Sequence, residues 1–130
     1  MKGFREYNLS TGTKIILGKN AETNDELVKE FKNKPNTILH TVKPGSPFCV
    51  IDSSSNSSPT KKEIKEAATI CASKSQDWRD NNSDVEMHKF TGYDVKKPLF
   101  AKKGSWKLKN NPETIKIKKK EIKKWLEKYS

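Results

Sequence analysis

Lys96, Lys97, Lys102 and Lys103 form two pairs six residues apart in the run Val95-Lys96-Lys97-Pro98-Leu99-Phe100-Ala101-Lys102-Lys103-Gly104-Ser105-Trp106. Pro98 removes a backbone donor and stiffens the segment, and Gly104 ends it. Lysines aimed by such a loop make a cradle of point charges for phosphates. Trp106 reads in two ways, as a stacking platform or as a half-buried core aromatic at the start of a strand. Lys107 adds a further charge beside it.

The charge distribution places the emphasis on the same end. Residues 96–130 hold thirteen Lys against Glu113, Glu121 and Glu127, a net of +10, whereas residues 1–95 hold fourteen Lys and Arg against thirteen acids, a net of +1. An excess gathered at one end makes a directional field that attracts polyanions, whereas an even spread speaks mainly of solubility. Lys outnumbers Arg twenty-five to two, so point-charge attraction to phosphates is expected ahead of bidentate reading of bases.

Other chemistry finds little support. Cys49 and Cys71 stand twenty-two residues apart with no second Cys near either, which reads as buried free thiols in a reducing compartment. With His40 and His88 they show no metal-ligand spacing, so no metal or other cofactor is expected. Ser46 sits in a Pro-Gly turn without an orienting carboxylate or oxyanion motif, and no Gly-rich phosphate loop occurs, so no catalytic residues are assigned. His40, in an apolar strand, is either a satisfied core or edge histidine or a binding group. Lys74, at the end of the main helix, either complements that helix's negative end or extends the basic surface.

The elements that must position these groups follow from local pattern. One hundred and thirty residues suit a single domain with one modest core, and the longest apolar runs are too short to span a membrane. The N-terminus lacks the apolar stretch of a secretion signal, and a cytoplasmic location is expected. Residues 4–9 and 13–17 predict a hairpin around Ser10-Thr11-Gly12. Thr23-Asn24-Asp25-Glu26 reads as a capping box for a short helix ending before Pro35, with Asn20 and Asn24 serving turn and cap geometry. Residues 37–42 and 48–51 predict two antiparallel strands around Lys43-Pro44-Gly45-Ser46-Pro47. Thr60-Lys61-Lys62-Glu63 caps the main helix, in which Ile64, Ala67, Ala68, Cys71 and Trp78 share a face until residues 80–83 stop it. Residues 84–90 alternate as a strand, and 106–109 with 114–118 predict a last hairpin around Asn110-Asn111-Pro112. Residues 119–129 put Ile122, Trp125, Leu126 and Tyr129 on one face of an amphipathic helix whose other face is rich in Lys.

In this order the motifs resemble the NFACT-R domain, the RNA-binding module of the NFACT proteins of ribosome-associated quality control, a domain also labelled as a C-terminal part of fibronectin-binding protein A. The resemblance rests on Phe4-Arg5 with Ser10-Thr11-Gly12, Gly18-Lys19-Asn20 with Asn24-Asp25-Glu26-Leu27, His40-Thr41-Val42 with Pro44-Gly45-Ser46, Ala67-Ala68 with Ser73-Lys74, and Val95-Lys96-Lys97-Pro98 with Ala101-Lys102-Lys103-Gly104. The chain departs from the pattern in carrying Ile38-Leu39 before the His, and Pro47-Phe48 after Pro-Gly-Ser. The resemblance implies a free-standing form of the domain, and together with the local residue pattern it gives Lys96, Lys97, Lys102, Lys103, Trp106, Lys107, Lys74, His40 and Ser46 as the expected nucleic-acid contacts. Activities of full-length factors, such as recruiting tRNA to extend stalled chains, are not implied.

The expected fold is α+β, a mostly antiparallel twisted sheet packed against one main helix. Residues 1–118 would form the RNA-binding domain and 119–130 a basic C-terminal helix. The expected work is noncatalytic binding of tRNA or ribosomal RNA in a translation-linked setting, with the ribosome or a ribosomal protein as a further partner. The alternatives are an adaptor that docks an acidic or ribosomal partner through the basic face and C-terminal helix, and DNA binding.

Overall fold

The computed structural model describes residues 3–53, 58–96 and 106–129. The hairpin forms as expected: β1 (Arg5–Asn8) pairs with β2 (Lys14–Leu17), and Gly12 turns the chain at φ +89°. After α1 (Ala21–Phe31) come β3 (Thr37–Thr41) and β4 (Cys49–Asp52), antiparallel neighbours. Then follow α2 (Lys61–Ser73), α3 (Gln76–Asn81), β5 (Val85–Thr91), β6 (Val95–Lys96), β7 (Lys107–Leu108), β8 (Glu113–Ile117) and α4 (Lys119–Tyr129). The main sheet has the order β1-β2-β4-β3-β5-β8 with every neighbouring pair antiparallel, while β6 and β7 make a separate ribbon. The fold is α+β. Among the described residues, no helix is long and apolar enough to cross a membrane.

Both sheet faces are covered, because the central strands carry continuous apolar runs rather than strict alternation. Ile15, Leu17, Leu39, Cys49 and Ile51 face α2, whose Ala67, Ala68 and Ala72 allow close approach, with Ile122 of α4 sealing the same core. Ile16, Ile38 and Val50 point the other way, into a second core with Leu27, Val28 and Phe31 of α1, Phe90 and Val95. The expected main helix therefore covers one face, and α1 with the ribbon covers the other.

Three local expectations are corrected. Helix α1 begins earlier because Asn20, a stronger N-cap than Thr, accepts from the Thr23 amide while Thr23 Oγ1 accepts from the Asn20 amide. The long helix breaks after Ser73, where Ser75 starts α3 by accepting from the Trp78 amide at 3.2 Å. The last hairpin does not form: Val95 pairs with Leu108 and Lys96 with Lys107, whereas β8 adds to β5 with Met87 opposite Ile115. The two strands separate because Trp106 and Leu108 pack on the second core, while Ile115 and Ile117 belong to the first. Asp84 then caps α4 by accepting from the Lys119 amide at 2.8 Å.

Candidate nucleic-acid interface

The turn between β3 and β4 is held from two sides. Gly45 has φ +91°, and its carbonyl accepts from the Gln76 amide at 2.8 Å, pinning the turn to the start of α3. A Cβ at Gly45 would lie 2.9 Å from Gln76 Cβ. The buried Pro47 carbonyl accepts from Cys71 Sγ at 3.2 Å. From the α1 side, Asn24 Oδ1 accepts from the Phe48 amide at 3.0 Å and Nδ2 donates to the Ser46 carbonyl at 3.4 Å. Gly18 makes room for this amide, since a Cβ there would come within 2.0 Å of Asn24 Oδ1. Ser46 itself is buried, its Oγ accepting from the Thr41 amide and donating to the Pro47 carbonyl, so its hydroxyl serves the turn.

Beside this turn lies a groove of about 800 Å³, bounded by the start of α1, the turn, strands β3 and β5, and the ribbon. Arg5, Lys19, Lys74 and Arg79 line it, and no Asp or Glu is among its described lining residues. Four cations without a carboxylate make a strongly positive concavity, in which low-dielectric walls focus the field. The first turn of α1 adds the positive end of its dipole. Arg79 donates from Nη1 to the Lys74 carbonyl at 3.1 Å and from Nη2 to Gln76 Oε1 at 3.0 Å, which fixes its guanidinium at the α2–α3 break.

The floor is aromatic. His40 and His88 lie directly opposite each other on β3 and β5, and the His40 ring rests 4.4 Å from that of Phe48 at 32°. His40 Nδ1 is 2.8 Å from the Thr41 carbonyl, which can only accept, so Nδ1 carries the proton. Burial lowers the His40 pKa below its usual value and the neighbouring His88 acts in the same direction, against the opposing pull of the Thr41 carbonyl. A neutral ring with this tautomer leaves Nε2 as a hydrogen-bond acceptor. Trp106 and Leu108 complete the wall, Trp106 packing on the second core, as the core reading expects, while also lining the groove.

On the ribbon, Lys96 and Lys107 are exposed and directly opposite each other. Like charges so placed repel, and a bound anion relieves that repulsion. Lys97, Lys102 and Lys103 lie outside the described residues. Of the residues singled out in the sequence, the fold thus gathers His40, Lys74, Trp106 and the Ser46 turn around one groove and sets Lys96 and Lys107 on the ribbon whose Trp106 and Leu108 line it. Sequence reasoning assigned no site role to Arg5, Lys19, Arg79 or His88. The available signal was scarcity: the only two Arg residues of a chain with twenty-five Lys both line the groove.

Cys49 and Cys71 are free and buried in the first core, and burial raises both thiol pKa values. Neither lines the groove, and Cys71 serves it only through its bond to the Pro47 carbonyl. Among the described residues, no cluster of three or more His, Cys, Asp or Glu is arranged to hold a metal ion.

Fold and groove together define an α+β domain with an aromatic-floored cationic cleft that has no carboxylate among its described lining residues. Residues 3–110 match the family model described as the NFACT protein RNA binding domain, and the chain belongs to that family. Among solved structures it is similar to the C-terminal part of the fibronectin/fibrinogen-binding protein from Streptococcus suis, at a TM-score of 0.78 and 24% identity over 95% of this chain. The chain spans about half the length of that structure, 49% of it. No curated protein sequence matches it.

Proposed function

We propose that this protein binds structured RNA, tRNA or ribosomal RNA, in a translation-linked setting such as ribosome-associated quality control, without catalysing a reaction on it. The observation that carries the reading is the groove lined by Arg5, Lys19, Lys74 and Arg79 with no carboxylate among its described lining residues. In this proposal Arg5, Lys19, Lys74 and Arg79 take phosphates, joined by Lys96 and Lys107 from the ribbon and by the lysines of residues 97–103. His40 Nε2 offers an acceptor to a ribose hydroxyl or a base amino group, and Ser46 shapes the rim. A 2′-hydroxyl partner for His40 would favour RNA over DNA.

The test is a fluorescence-anisotropy titration against tRNA, single-stranded RNA and duplex DNA at two salt concentrations. The reading expects tRNA to bind more tightly than duplex DNA near physiological salt, with log affinity falling against log salt by roughly 0.7 to 0.9 per phosphate contact. Equal, weak binding to all three that vanishes with salt overturns it.

A further inference from the structure

Lys74 lines a second concavity as well as the groove. This smaller cleft, of about 280 Å³, lies where α4 meets β1 and α2; Tyr7, Trp125 and Tyr129 wall it, and Glu66 at its edge accepts from the Ser10 amide and hydroxyl, which engage its carboxylate. The Trp125 and Tyr129 rings lie 5.1 Å apart at 34°, and Tyr7 meets Trp125 edge-on at 5.9 Å. The Lys74 ammonium stands 5.5 Å from the Trp125 ring and 5.9 Å from that of Tyr7. Tyr129 is 59% exposed, so aromatic surface is open to solvent.

The helix carrying these rings is a docked part of the fold. Ile122 is fully buried, the Asp84 side chain caps the first turn, and Lys65 pairs with Glu121 at 3.2 Å. That ion pair directs one of the two acids of α4 toward α2, while Lys119, Lys120, Lys123, Lys124 and Lys128 are exposed. An exposed Tyr129 ring against half-buried Trp125 and Tyr7, next to exposed lysines and joined to a cationic groove through a shared lysine, supplies the parts from which single-strand sites are built. Aromatic faces take unstacked bases whatever their sequence, and lysines follow the backbone.

We propose that the RNA track is bipartite: a single strand seated in the groove runs past Lys74 into the α4 cleft, where a base stacks on Trp125 and Tyr129 and the α4 lysines hold the flanking phosphates. This rests on the groove reading and adds to it a single-stranded segment as the occupant of the second site. An acidic protein is the competing occupant. Continuity with the groove through Lys74 and the stacking surface both favour RNA.

The experiment compares a short and a long single-stranded RNA, about 4 and about 15 nucleotides, chosen to bracket the site sizes found for single-strand grooves. Two variants of the full chain are used, both altered only at exposed residues: a cleft variant (Tyr129→Ala, Lys124→Gln, Lys128→Gln) and a groove variant (Arg5→Gln, Lys19→Gln). Circular dichroism and thermal melts establish that each is folded. The inference expects the cleft variant to bind the long RNA about tenfold or more weakly, with a salt slope flatter by roughly 1.4, and the short RNA within about twofold of the wild type. Tyr129→Phe alone, which keeps the ring and both lysines, binds the long RNA within about twofold of the wild type. An unchanged affinity for the long RNA overturns the inference, as does an equal loss on both lengths. Competition by polyglutamate as effective as RNA of equal charge also overturns it, in favour of a protein dock. If the wild type binds tRNA but neither single strand, the groove reading stands and the bipartite track falls; if it binds neither these strands nor tRNA, the groove reading itself fails. If the groove variant loses the short RNA while the cleft variant keeps the long one, the groove reading stands and the bipartite track falls.

Discussion

Replacing Asn24 with Ala should both destabilise the fold and disorganise the groove. The buried Phe48 amide loses its acceptor, now 3.0 Å away, and a buried unsatisfied N–H costs about 1–3 kcal/mol. The longer 3.4 Å bond to the Ser46 carbonyl adds a few tenths of a kcal/mol at most, so the expected total is about 2 kcal/mol. For a chain of this size that is a fall in Tm of roughly 6–10 °C, or a proportional shift in urea midpoint at unchanged m-value. Asn24→Asp separates fold from function. Its carboxylate still accepts from the Phe48 amide, turns an oxygen instead of a donor toward the Ser46 carbonyl 3.4 Å away, a repulsion offset by the nearby cations and the positive end of α1, and places a negative charge in the groove. It should cost less stability than Asn24→Ala and more RNA affinity. A stability loss below about 0.5 kcal/mol for Asn24→Ala, or an Asn24→Asp variant that binds RNA like wild type, would refute the reasoning, since 0.5 kcal/mol is the ordinary scatter of inconsequential substitutions.

Glu63 should mark the acid limb of the stability profile. Hydrogen bonds from Thr11 and Thr13, with the Thr60 amide, hold its pKa down to about 2, so its contribution is whole above about pH 4.5 and is lost as the pH falls toward 2. Glu63→Gln should remove about 1–2 kcal/mol at neutral pH and flatten that part of a pH–denaturation series. Gly92→Ala puts a Cβ 1.9 Å from the Phe31 carbonyl oxygen and 2.5 Å from that of Lys34, so the backbone at the end of α1 must move; a loss of more than about 2 kcal/mol by urea unfolding is expected. The double variant Lys96→Gln, Lys107→Gln removes a like-charge pair across the ribbon, so stability should hold or rise by a few tenths of a kcal/mol while the salt slope of RNA binding flattens by roughly 1.4.

Local chemistry explains which parts of this fold can be read from the residue order. The Thr60–Glu63 capping box and the Gly12 turn rest on contacts within a few residues, and the Pro44–Pro47 turn is signalled by its own Pro and Gly even though Asn24, Cys71 and Gln76 hold it in place; each forms as expected. The start of α1 is ambiguous from residue order because Asn20 and Thr23 are both competent N-caps, and only their reciprocal bonding decides between them. The partner of β7 was not legible either. Alternation makes Leu108 and Ile117 equally apolar, and nothing local tells that one belongs to the core beneath α1 and the other to the core beneath α2. The groove shows the same limit. Arg5 and Lys19 are brought close by the register that sets Arg5 opposite Leu17, while Arg79 arrives from the far side of the sheet through the Gly45–Gln76 contact. Such convergence is a property of topology, and composition recorded it only as two Arg residues among many Lys.

The most direct test of the groove as the RNA site is a residue-resolved amide NMR titration with tRNA. The account expects the largest perturbations at Lys19, Asn20, Gly45, Lys96 and Lys107, appearing together and saturating at one stoichiometry. Perturbations confined to the outer face of α2, at Lys61, Lys62 and Lys65, with the groove amides unmoved, would contradict it.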